Sequence, residues 1–409
     1  MSTSTNGFRF EIAPKLVLRS MVSAVVAYPP KLRRLILVLC AIMGISIIAD
    51  LVALPAGWEV MGTTPTVEWG LLIAGYVFLA ITTSGLCLTS SLGSVLGIDA
   101  FKPIERRAVL LAFFALVGAF GIILLDLQYP IALVFGAILS PSTGSPMWWM
   151  GVAYGAYLMI LIVEIITIFA NLHTLHRWVA RAAMLMAIIA PSTLGTVFGV
   201  IAAKSMWHGI WTPILMFASA ILSGASMISL VIGLMVRYQR PNWEALRDRT
   251  LPALRIMMLV MLLVVSGLVA RQVIDGMTSD VRGYESAMHT LIAGSLAPGF
   301  WGLRVALGLA LPLGLLLMTS GRTATRLAIA GGFSLMGILV DRYLFVVAAE
   351  VTPVSITGGV VQLPVAPYTP SIVELLIIAG AIASVAFFFV MAERHLDLAG
   401  VNSHHKTDE

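Results

Sequence analysis

Charged residues are scarce in this sequence. Only 11% of its 409 residues are Asp, Glu, Lys or Arg, whereas 59% are hydrophobic. Soluble domains carry about 25% charged residues, because their surfaces face water. The low charge content therefore excludes a water-exposed globular surface and predicts a polytopic membrane protein. The formal net charge of +5 does not indicate binding of nucleic acid, because the basic residues fall in loops between apolar segments.

Cysteine and mid-span histidine are also scarce. Cys40 and Cys87 both lie inside apolar segments, and the sequence contains no CxxC motif or Cys/His cluster. Iron–sulfur and structural zinc sites need several grouped thiolates or imidazoles, so neither is expected within this chain. None of the seven histidines lies in the middle of an apolar segment. His173 and His176, beside Arg177, are interpreted as part of a basic collar, and no haem is expected.

The N-terminal region lacks a cleavable signal pattern. Residues 1–32 carry scattered charges without an early apolar core followed by a small-residue cleavage site. We therefore expect a cytoplasmic N-terminal segment over 1–32, a transmembrane domain over 33–393 and a cytoplasmic tail over 394–409. The stretch 14–27 alternates apolar with basic residues, which fits either an interfacial helix or disorder.

Long apolar runs dominate the rest of the chain. A membrane-spanning helix needs about 20 mostly apolar residues. Ten such runs predict an all-α integral membrane protein, and they lie near 35–55, 68–92, 107–127, 148–172, 179–203, 211–236, 253–275, 299–319, 326–349 and 370–392. Small-residue patches at Thr82–Gly85 and Ser219–Ser226 suit close helix packing. They suggest two four-helix bundles, spans two to five and six to nine, plus two flanking helices, although ordinary packing explains the patches equally well.

Basic residues alternate between loops in a way that predicts orientation. Lys and Arg accumulate in cytoplasmic loops. With the N-terminus inside, the inner loops receive Lys31, Arg33, Arg34, Lys102, Arg106, Arg107, Arg177, Arg181, Arg237, Arg240, Arg247, Arg249, Arg255, Arg322, Arg326 and Arg394. The outer loops receive only Lys204, Arg271 and Arg282, and the outer loops 128–147 and 350–369 receive none. Both termini are therefore expected in the cytoplasm, with the chain in a bacterial inner membrane.

Few ionisable residues lie within the spans, where they are costly and often functional. They are Asp50, Asp126, Glu164, Arg304, Asp341, Arg342 and Glu374. Glu164 has apolar neighbours and is a candidate proton carrier, with a neutral hydrogen-bonded side chain as the alternative. Asp341 and Arg342 point about 100° apart on a helix, so they need not pair with each other. Glu374 and Glu350 are alternative partners for Arg342. Arg304 and Glu374 lie near the surface, where snorkelling or capping also explains them.

Aromatic residues concentrate at the outer edge of spans two and four. They are Trp69, Tyr76, Trp148, Trp149, Tyr154 and Tyr157. An interfacial aromatic belt explains Trp69 and Trp149. It explains Tyr76 and Tyr157 less well, because they lie about two turns deeper. Together with Ser84 and Asp126 they form a mostly apolar pocket with a few polar groups, the usual form of a small-ligand site and suited to a quinone ring.

Several short motifs lie in order along these spans. They are Glu68-Trp69-Gly70 through Tyr76-Val77-Phe78 to Gly85, Leu125-Asp126-Leu127, Ser145-Pro146-Met147-Trp148 followed by Gly151, Arg342-Tyr343, and Tyr368-Thr369-Pro370-Ser371 with Glu374. In these motifs the chain resembles the polysulfide reductase membrane subunit family, the NrfD/PsrC type. The last two motifs resemble its longer ten-helix branch, which includes the HybB and DsrP subunits. The resemblance covers most of the chain from about 35 to 392.

The resemblance implies a function. Subunits of this type carry no redox centre of their own and serve a multi-subunit oxidoreductase. They exchange electrons between a membrane quinone such as menaquinone and an extracytoplasmic ferredoxin-like iron–sulfur subunit, which works with a catalytic or cytochrome subunit. Proton translocation is an open possibility.

The resemblance also implies site residues. The matching quinone-pocket positions are Glu68, Trp69, Tyr76, Ser145, Pro146 and Trp148. Asp126 would lie beneath the loop and, with Glu164, handle protons, while Asp341 and Arg342 would line a polar path in the second bundle. Some members place His or Asn at the start of the opening helix, whereas this chain reads Thr66-Val67-Glu68-Trp69. Glu68 is the predicted replacement for that donor.

Two other functions fit parts of the sequence. A ten-helix secondary transporter would use helices broken by Gly or Pro at mid-membrane, and Pro191 and Pro312 could be read so. The in-span charges cluster towards the outer edge rather than around a central cavity, which disfavours this function. A purely structural anchor would need neither Tyr76 nor Asp126 for quinol oxidation.

Overall fold

A computed structural model describes most of the chain. The described residues are 28–127, 139–236, 246–318, 323–352, 354–355, 361–362, 365–396 and 398. The stretch 14–27, considered above as an interfacial helix, and nearly all of the tail beyond residue 396 lie outside these residues.

Ten helices in the described part are long and apolar enough to cross a membrane, which confirms the predicted number and class. The first seven are α1 (Pro30–Ala56), α2 (Leu71–Ser94), α3 (Glu105–Asp126), α4 (Pro146–Phe169), α5 (His173–Gly199), α6 (Trp211–Val236) and α7 (Leu251–Thr278). A short helix, α8 (Arg282–Ile292), follows. The eighth span begins as a π-helix (Gly299–Ala310) and continues as α9 (Leu311–Leu317), before α10 (Thr323–Glu350) and α11 (Ile372–His395).

Short elements connect the spans. The 3₁₀ turn Gly57–Val60 precedes α2, and the 3₁₀ turn Lys102–Ile104 directly precedes α3. The π-turn Leu246–Thr250 opens α7. Two antiparallel strands of two residues each, β1 (Val354–Ser355) and β2 (Val361–Gln362), follow α10. Local sequence sets several helix starts. The Ser145 side chain accepts from the Trp148 N–H in front of Pro146, and Ser371 and Glu374 form a capping box at α11.

The spans assemble into the predicted two bundles. In the first bundle α2 packs on α3 and α5, and α4 closes the ring between α3 and α5. In the second bundle α10 packs on α6 and on the eighth span, with α7 against α6 and α9. Helices α1 and α11 pack on each other and flank α3. Each bundle therefore has an interior of its own.

Helices α2 and α6 join the two bundles through direct backbone contact. A side chain at Gly85 would collide with the Ala220 carbonyl and lie 2.8 Å from the Gly224 nitrogen. Beside this crossing, the hydroxyls of Thr82 and Ser223 hydrogen-bond at 2.5 Å. The two small-residue patches therefore meet each other, because residues without large side chains let helices approach closely in lipid.

Contacts between helix ends separate two membrane faces. The basic face carries Arg34, Lys102, Arg177, Arg249 and Arg394, and contacts there join α3 to α5 and to α11. The opposite face carries Gly62, Lys204, Glu350 and Tyr368, where the start of α2 meets the end of α10 and the start of α11. Successive spans thus end at alternate faces, as the predicted order of spans requires.

Candidate functional site

Three buried tyrosines, Tyr76, Tyr154 and Tyr157, lie in the first-bundle interior. Tyr76 of α2 and Tyr154 of α4 lie with their ring centroids 6.4 Å apart, and both are buried. The Tyr76 hydroxyl reaches the Met150 sulfur at 3.7 Å, whereas the Tyr154 hydroxyl has no hydrogen-bond partner in the described part of the chain. Ser84 lies beside that hydroxyl. With Ser84 as its polar neighbour, this buried hydroxyl retains unused hydrogen-bonding capacity.

Tyr157 continues this polar set one turn deeper. Its hydroxyl lies 3.4 Å from the Thr83 carbonyl and beside the Cys87 thiol. Thr83 also donates to the carbonyls of Leu79 and Ala112, which ties α2 to α3 at this level. The first bundle thus holds hydroxyl and thiol groups on α2 and α4 that face one another.

Glu164 lies further towards the basic face. Its side chain is 1% exposed, and its Oε2 atom has no hydrogen-bond partner among the described residues. Cys87 lies above it. Below it, Thr167 donates to the Glu164 backbone carbonyl at 2.8 Å, and His176 and Glu105 are close enough to act on its charge.

His176 does not simply join a basic collar, the role interpreted from the sequence. Its Nε2 atom lies 2.7 Å from the Glu105 carboxylate, and its Nδ1 atom lies 3.4 Å from the Thr167 hydroxyl. Asn171, with a left-handed φ of 54°, makes the turn that brings the start of α5 back beside α4. This tight turn places His176 against Thr167.

Glu68 and Trp69 face away from this interior. Trp69 stacks on Trp207 at 5.3 Å and contacts Phe198 edge-on, in an aromatic group that also includes Phe345 of the second bundle. The Glu68 side chain is exposed, and its backbone N–H donates to the Glu350 carboxylate at 3.3 Å. These two predicted residues therefore lie at the junction of the bundles on the opposite face.

The remaining predicted residues of the first bundle lie at its rim. Ser145 and Pro146 open α4, and the Trp148 and Trp149 rings contact each other at 4.8 Å. Asp126 closes α3 and lies near Glu374 of α11. The structure therefore gathers Tyr76, Ser84, Tyr157 and Glu164 in one interior, and places Asp126 on the side of the bundle that faces α11.

Tyr368 and Glu374 clamp the start of α2. The Tyr368 hydroxyl accepts from the Leu71 N–H at 2.7 Å and donates to Glu374 Oε1 at 3.0 Å. Glu374 Oε2 accepts from the N–H groups of Gly62 and Ser371. Burial, followed by the Glu374 charge, raises the pKa of Tyr368, so its hydroxyl remains a donor. Glu374 is thus a capping group with several partners, as one interpretation of its sequence position predicted.

Tyr368→Phe is expected to destabilise the protein by about 1–3 kcal/mol, because the change leaves a buried N–H and a buried carboxylate oxygen without this partner. Thermal unfolding in detergent would measure the loss. Tyr343→Phe is the matched control, since the Tyr343 ring lies against the Tyr368 ring at 6.3 Å and its hydroxyl takes no part in the hydrogen bonds of Tyr368 with Leu71 and Glu374. Equal melting temperatures for the two variants would contradict the clamp.

The second bundle buries a group of three charges. Asp341 pairs with Arg304 and also with its neighbour Arg342, which donates to Ser219 at 3.3 Å. Glu350 and Glu374 were the partners of Arg342 considered from the sequence, but Glu350 pairs with Lys204 at 3.3 Å. The interpretation that Arg342 pairs with Glu350 or Glu374 was wrong. The long Arg342 side chain instead bends back to the adjacent Asp341, where the surroundings exclude water. Arg304 likewise does not snorkel, since it is 3% exposed.

Several residues of these groups were not predicted from the sequence as site residues. Tyr154, Cys87, His176 and Glu105 all contribute to the first-bundle interior or its lower end. Thr167 lies three residues after Glu164 on the same helix face, but the sequence carries no comparable signal for His176 or Glu105. In the described residues, no three His, Cys, Asp or Glu side chains are grouped as a metal site would need.

Comparison with known proteins identifies the family. The sequence model described as "Polysulphide reductase, NrfD" matches residues 59–354, well over half of the chain. The chain belongs to the NrfD family. The match begins just before α2 and ends after α10, so it takes in both bundles of this NrfD-family protein and leaves α1 and α11 outside.

Two relatives show how widely the NrfD-family chain aligns. It is 22% identical over 345 residues to the Hdr-like menaquinol oxidoreductase integral membrane subunit of Archaeoglobus fulgidus, covering 81% of this chain and 85% of the relative. It is 23% identical over 356 residues to one subunit of the selenate reductase of Mesobacillus selenatarsenatis, covering 77% of this chain and 82% of that relative. Both alignments extend over most of each protein.

Proposed function

We propose that this chain is the quinone-reactive membrane subunit of a respiratory oxidoreductase complex. Its family membership and the menaquinol oxidoreductase relative support a quinone or menaquinone as the exchangeable substrate. The observation that carries the proposal is the buried hydroxyl of Tyr154, which makes no hydrogen bond of normal geometry among the described residues and lies beside Tyr76 and Ser84 in an otherwise apolar interior. A quinone ring needs apolar surroundings and donors for its two oxygens, and these residues supply hydroxyl donors within an apolar interior.

The side chains around this part of the interior have separate roles in the proposal. Tyr76 and Tyr154 bind the two ring oxygens and orient the ring. Ser84 and Tyr157 lie below these two tyrosines and hold their hydroxyl groups in place. Ser145, Pro146 and Trp148 form the rim through which the ring enters from the lipid. Glu68 and Trp69 lie towards the second bundle, where electrons would leave. Asp126 and Glu164 handle protons, one near the opposite face and one deep in the bundle.

Orientation and partners complete the proposal. Because Lys and Arg favour the cytoplasmic side, the basic face is the cytoplasmic face of a bacterial inner membrane. The opposite face then docks an extracytoplasmic ferredoxin-like iron–sulfur subunit, which connects to a catalytic or cytochrome subunit. The selenate reductase relative supports a multi-subunit complex, since that relative is one of several polypeptides of its enzyme. Asp341 and Arg342 form the polar part of the second bundle.

Tyr154→Phe and Tyr76→Phe are each expected to lower kcat/KM for quinol oxidation about fivefold, because each removes one hydrogen bond worth roughly 1 kcal/mol to a ring oxygen. The purified complex would be assayed with a menaquinol analogue and a dye that accepts electrons from the iron–sulfur partner. Extracted quinone per complex, measured in parallel, should fall as well.

Tyr284→Phe is the control for this experiment. It removes a partly buried hydroxyl that donates to the Gln272 carbonyl at 3.3 Å, in the second half of the chain. The control should retain the full rate. Full kcat/KM in both first-bundle variants would contradict the proposed site.

A further inference from the structure

We infer that Glu105 and His176 form the entrance of a proton path that runs from the basic face to Glu164. The inference deepens the proposed function and rests on it, because the path serves protons exchanged with a bound quinone. Four residues carry the argument, and they lie in order from the membrane face to the bundle interior: Glu105, His176, Thr167 and Glu164. Glu105, His176 and Thr167 are joined through their side chains, whereas the Thr167 hydroxyl bonds the backbone carbonyl of Glu164 and lies next to that residue rather than on its carboxyl group.

A cavity at the basic face gives water access to this entrance. Its volume is about 250 Å³, and its walls come from the start of α3, the end of α4 and the start of α5. A water molecule occupies about 30 Å³ in the liquid, so several fit. The lining includes Lys102, Glu105, Arg106, Thr167, His173 and His176. Protons from the solution at this face therefore reach the Glu105–His176 pair directly.

His176 links the cavity to the buried part of the bundle. Its Nε2 atom contacts the Glu105 carboxylate, and its Nδ1 atom contacts the Thr167 hydroxyl on the other side of the ring. An imidazole can accept a proton on one nitrogen and release one from the other near neutral pH. The charged groups that act on it are Glu105 and Arg106 from α3 and Glu164 from α4.

Glu164 is suited to receive that proton. Its Oε2 atom is buried without a hydrogen-bond partner in the described residues, so the carboxyl group has an open position for a proton or a water molecule. Towards the proposed quinone site it is followed by Cys87 and then Tyr157, which lies beside Tyr154. The polar groups therefore continue from the cavity at the basic face to the aromatic residues of the site.

The chemistry balances with the partners already proposed. Oxidation of one quinol to a quinone releases two electrons and two protons. The electrons pass to the iron–sulfur subunit on the opposite face, and the two protons leave one after the other through Glu164, His176 and the cavity. In the reverse direction, reduction of a quinone takes its protons from the basic face by the same groups.

The test measures where protons appear during turnover. The complex is reconstituted in vesicles with pH dyes on both sides and driven with a menaquinol analogue and an electron-accepting dye. In the unmodified complex, proton release at the basic face should accompany quinol oxidation. His176→Gln and Glu105→Gln should each slow turnover about tenfold. Glu164→Gln should slow it roughly 100-fold, at the lower end of the range for positioned acid–base groups. The protons that these variants still release should then appear at the opposite face.

His173→Gln is the matched control, because His173 lines the same cavity but is exposed. It should behave as the unmodified complex does. If His176 only stabilised the fold, His176→Gln would lower the amount of complex without changing the face at which protons appear. Quinol oxidation with unchanged proton release in all three path variants would overturn the inference. Absence of quinol oxidation in the unmodified complex would instead overturn the proposed function.

Discussion

Gly85→Leu is expected to abolish the folded protein in the membrane. At Gly85 even a single added carbon would collide with the Ala220 carbonyl and approach the Gly224 nitrogen of α6. Backbone atoms cannot move aside as a flexible side chain can, so the helices would have to separate along their contact. Overpacking commonly costs about 1–3 kcal/mol, and more where the neighbour is rigid. Membrane-inserted protein and its thermal unfolding would be measured, with Gly85→Ala expected to show a partial loss.

Gly121→Leu is the control for the helix crossing. Gly121 is exposed on α3, and a side chain there would meet no atom within 4 Å. Both changes replace a glycine in a spanning helix with the same apolar residue, so helix propensity and lipid solubility change equally. Normal amounts of the Gly85 variant, with an unchanged melting temperature, would show that α2 and α6 do not touch as described.

Arg107→Ala is expected to destabilise the protein by about 3–5 kcal/mol, because it breaks a buried ion pair from one side and leaves the other charge uncompensated. Arg107 of α3 makes a bidentate ion pair with Glu393 of α11, with both nitrogen–oxygen distances at 3.0 Å. The Arg107 residue is only 3% exposed, so removing it leaves a carboxylate with little access to water. Thermal or denaturant unfolding in detergent would show the loss.

The double replacement Arg107→Met with Glu393→Leu separates the two costs. It removes both charges and fills the space with apolar side chains, so it should be more stable than either Arg107→Ala or Glu393→Ala. A double variant as unstable as the single ones would mean that the ion pair itself, rather than the uncompensated charge, holds α11 against α3.

The number of spans and their alternation could be predicted because the bilayer imposes them. A run of about 20 apolar residues has few alternatives, and basic loops mark one face. The rotation of each helix could not be predicted in the same way, because a helix that is apolar all round gives no sign of which face is buried. Helices α1 and α2 both read as apolar spans, yet 22% of one and 89% of the other is buried.

The candidate site was partly accessible to sequence reasoning. Glu164 stood out because a lone carboxyl in an apolar run is costly, and Tyr76 because it lies too deep for the interfacial belt. Glu105 and His176 could not be paired from the sequence, since 71 residues separate them and each resembles an ordinary loop residue. Tyr154 became distinct from the other aromatic residues only when its hydroxyl was seen to lack a partner among the described residues.

Helix α2 is enclosed on almost every side, and the same few turns of it serve two purposes. Its Tyr76, Thr83 and Ser84 face the first-bundle interior, and its Thr82 and Gly85 are fixed against α6. It also packs against α10, which carries the buried Asp341 and Arg342. A tilt or slide of α2 when a molecule enters the interior would therefore be transmitted to the charged helix of the other bundle as a mechanical linkage, without any continuous chain of hydrogen bonds between them.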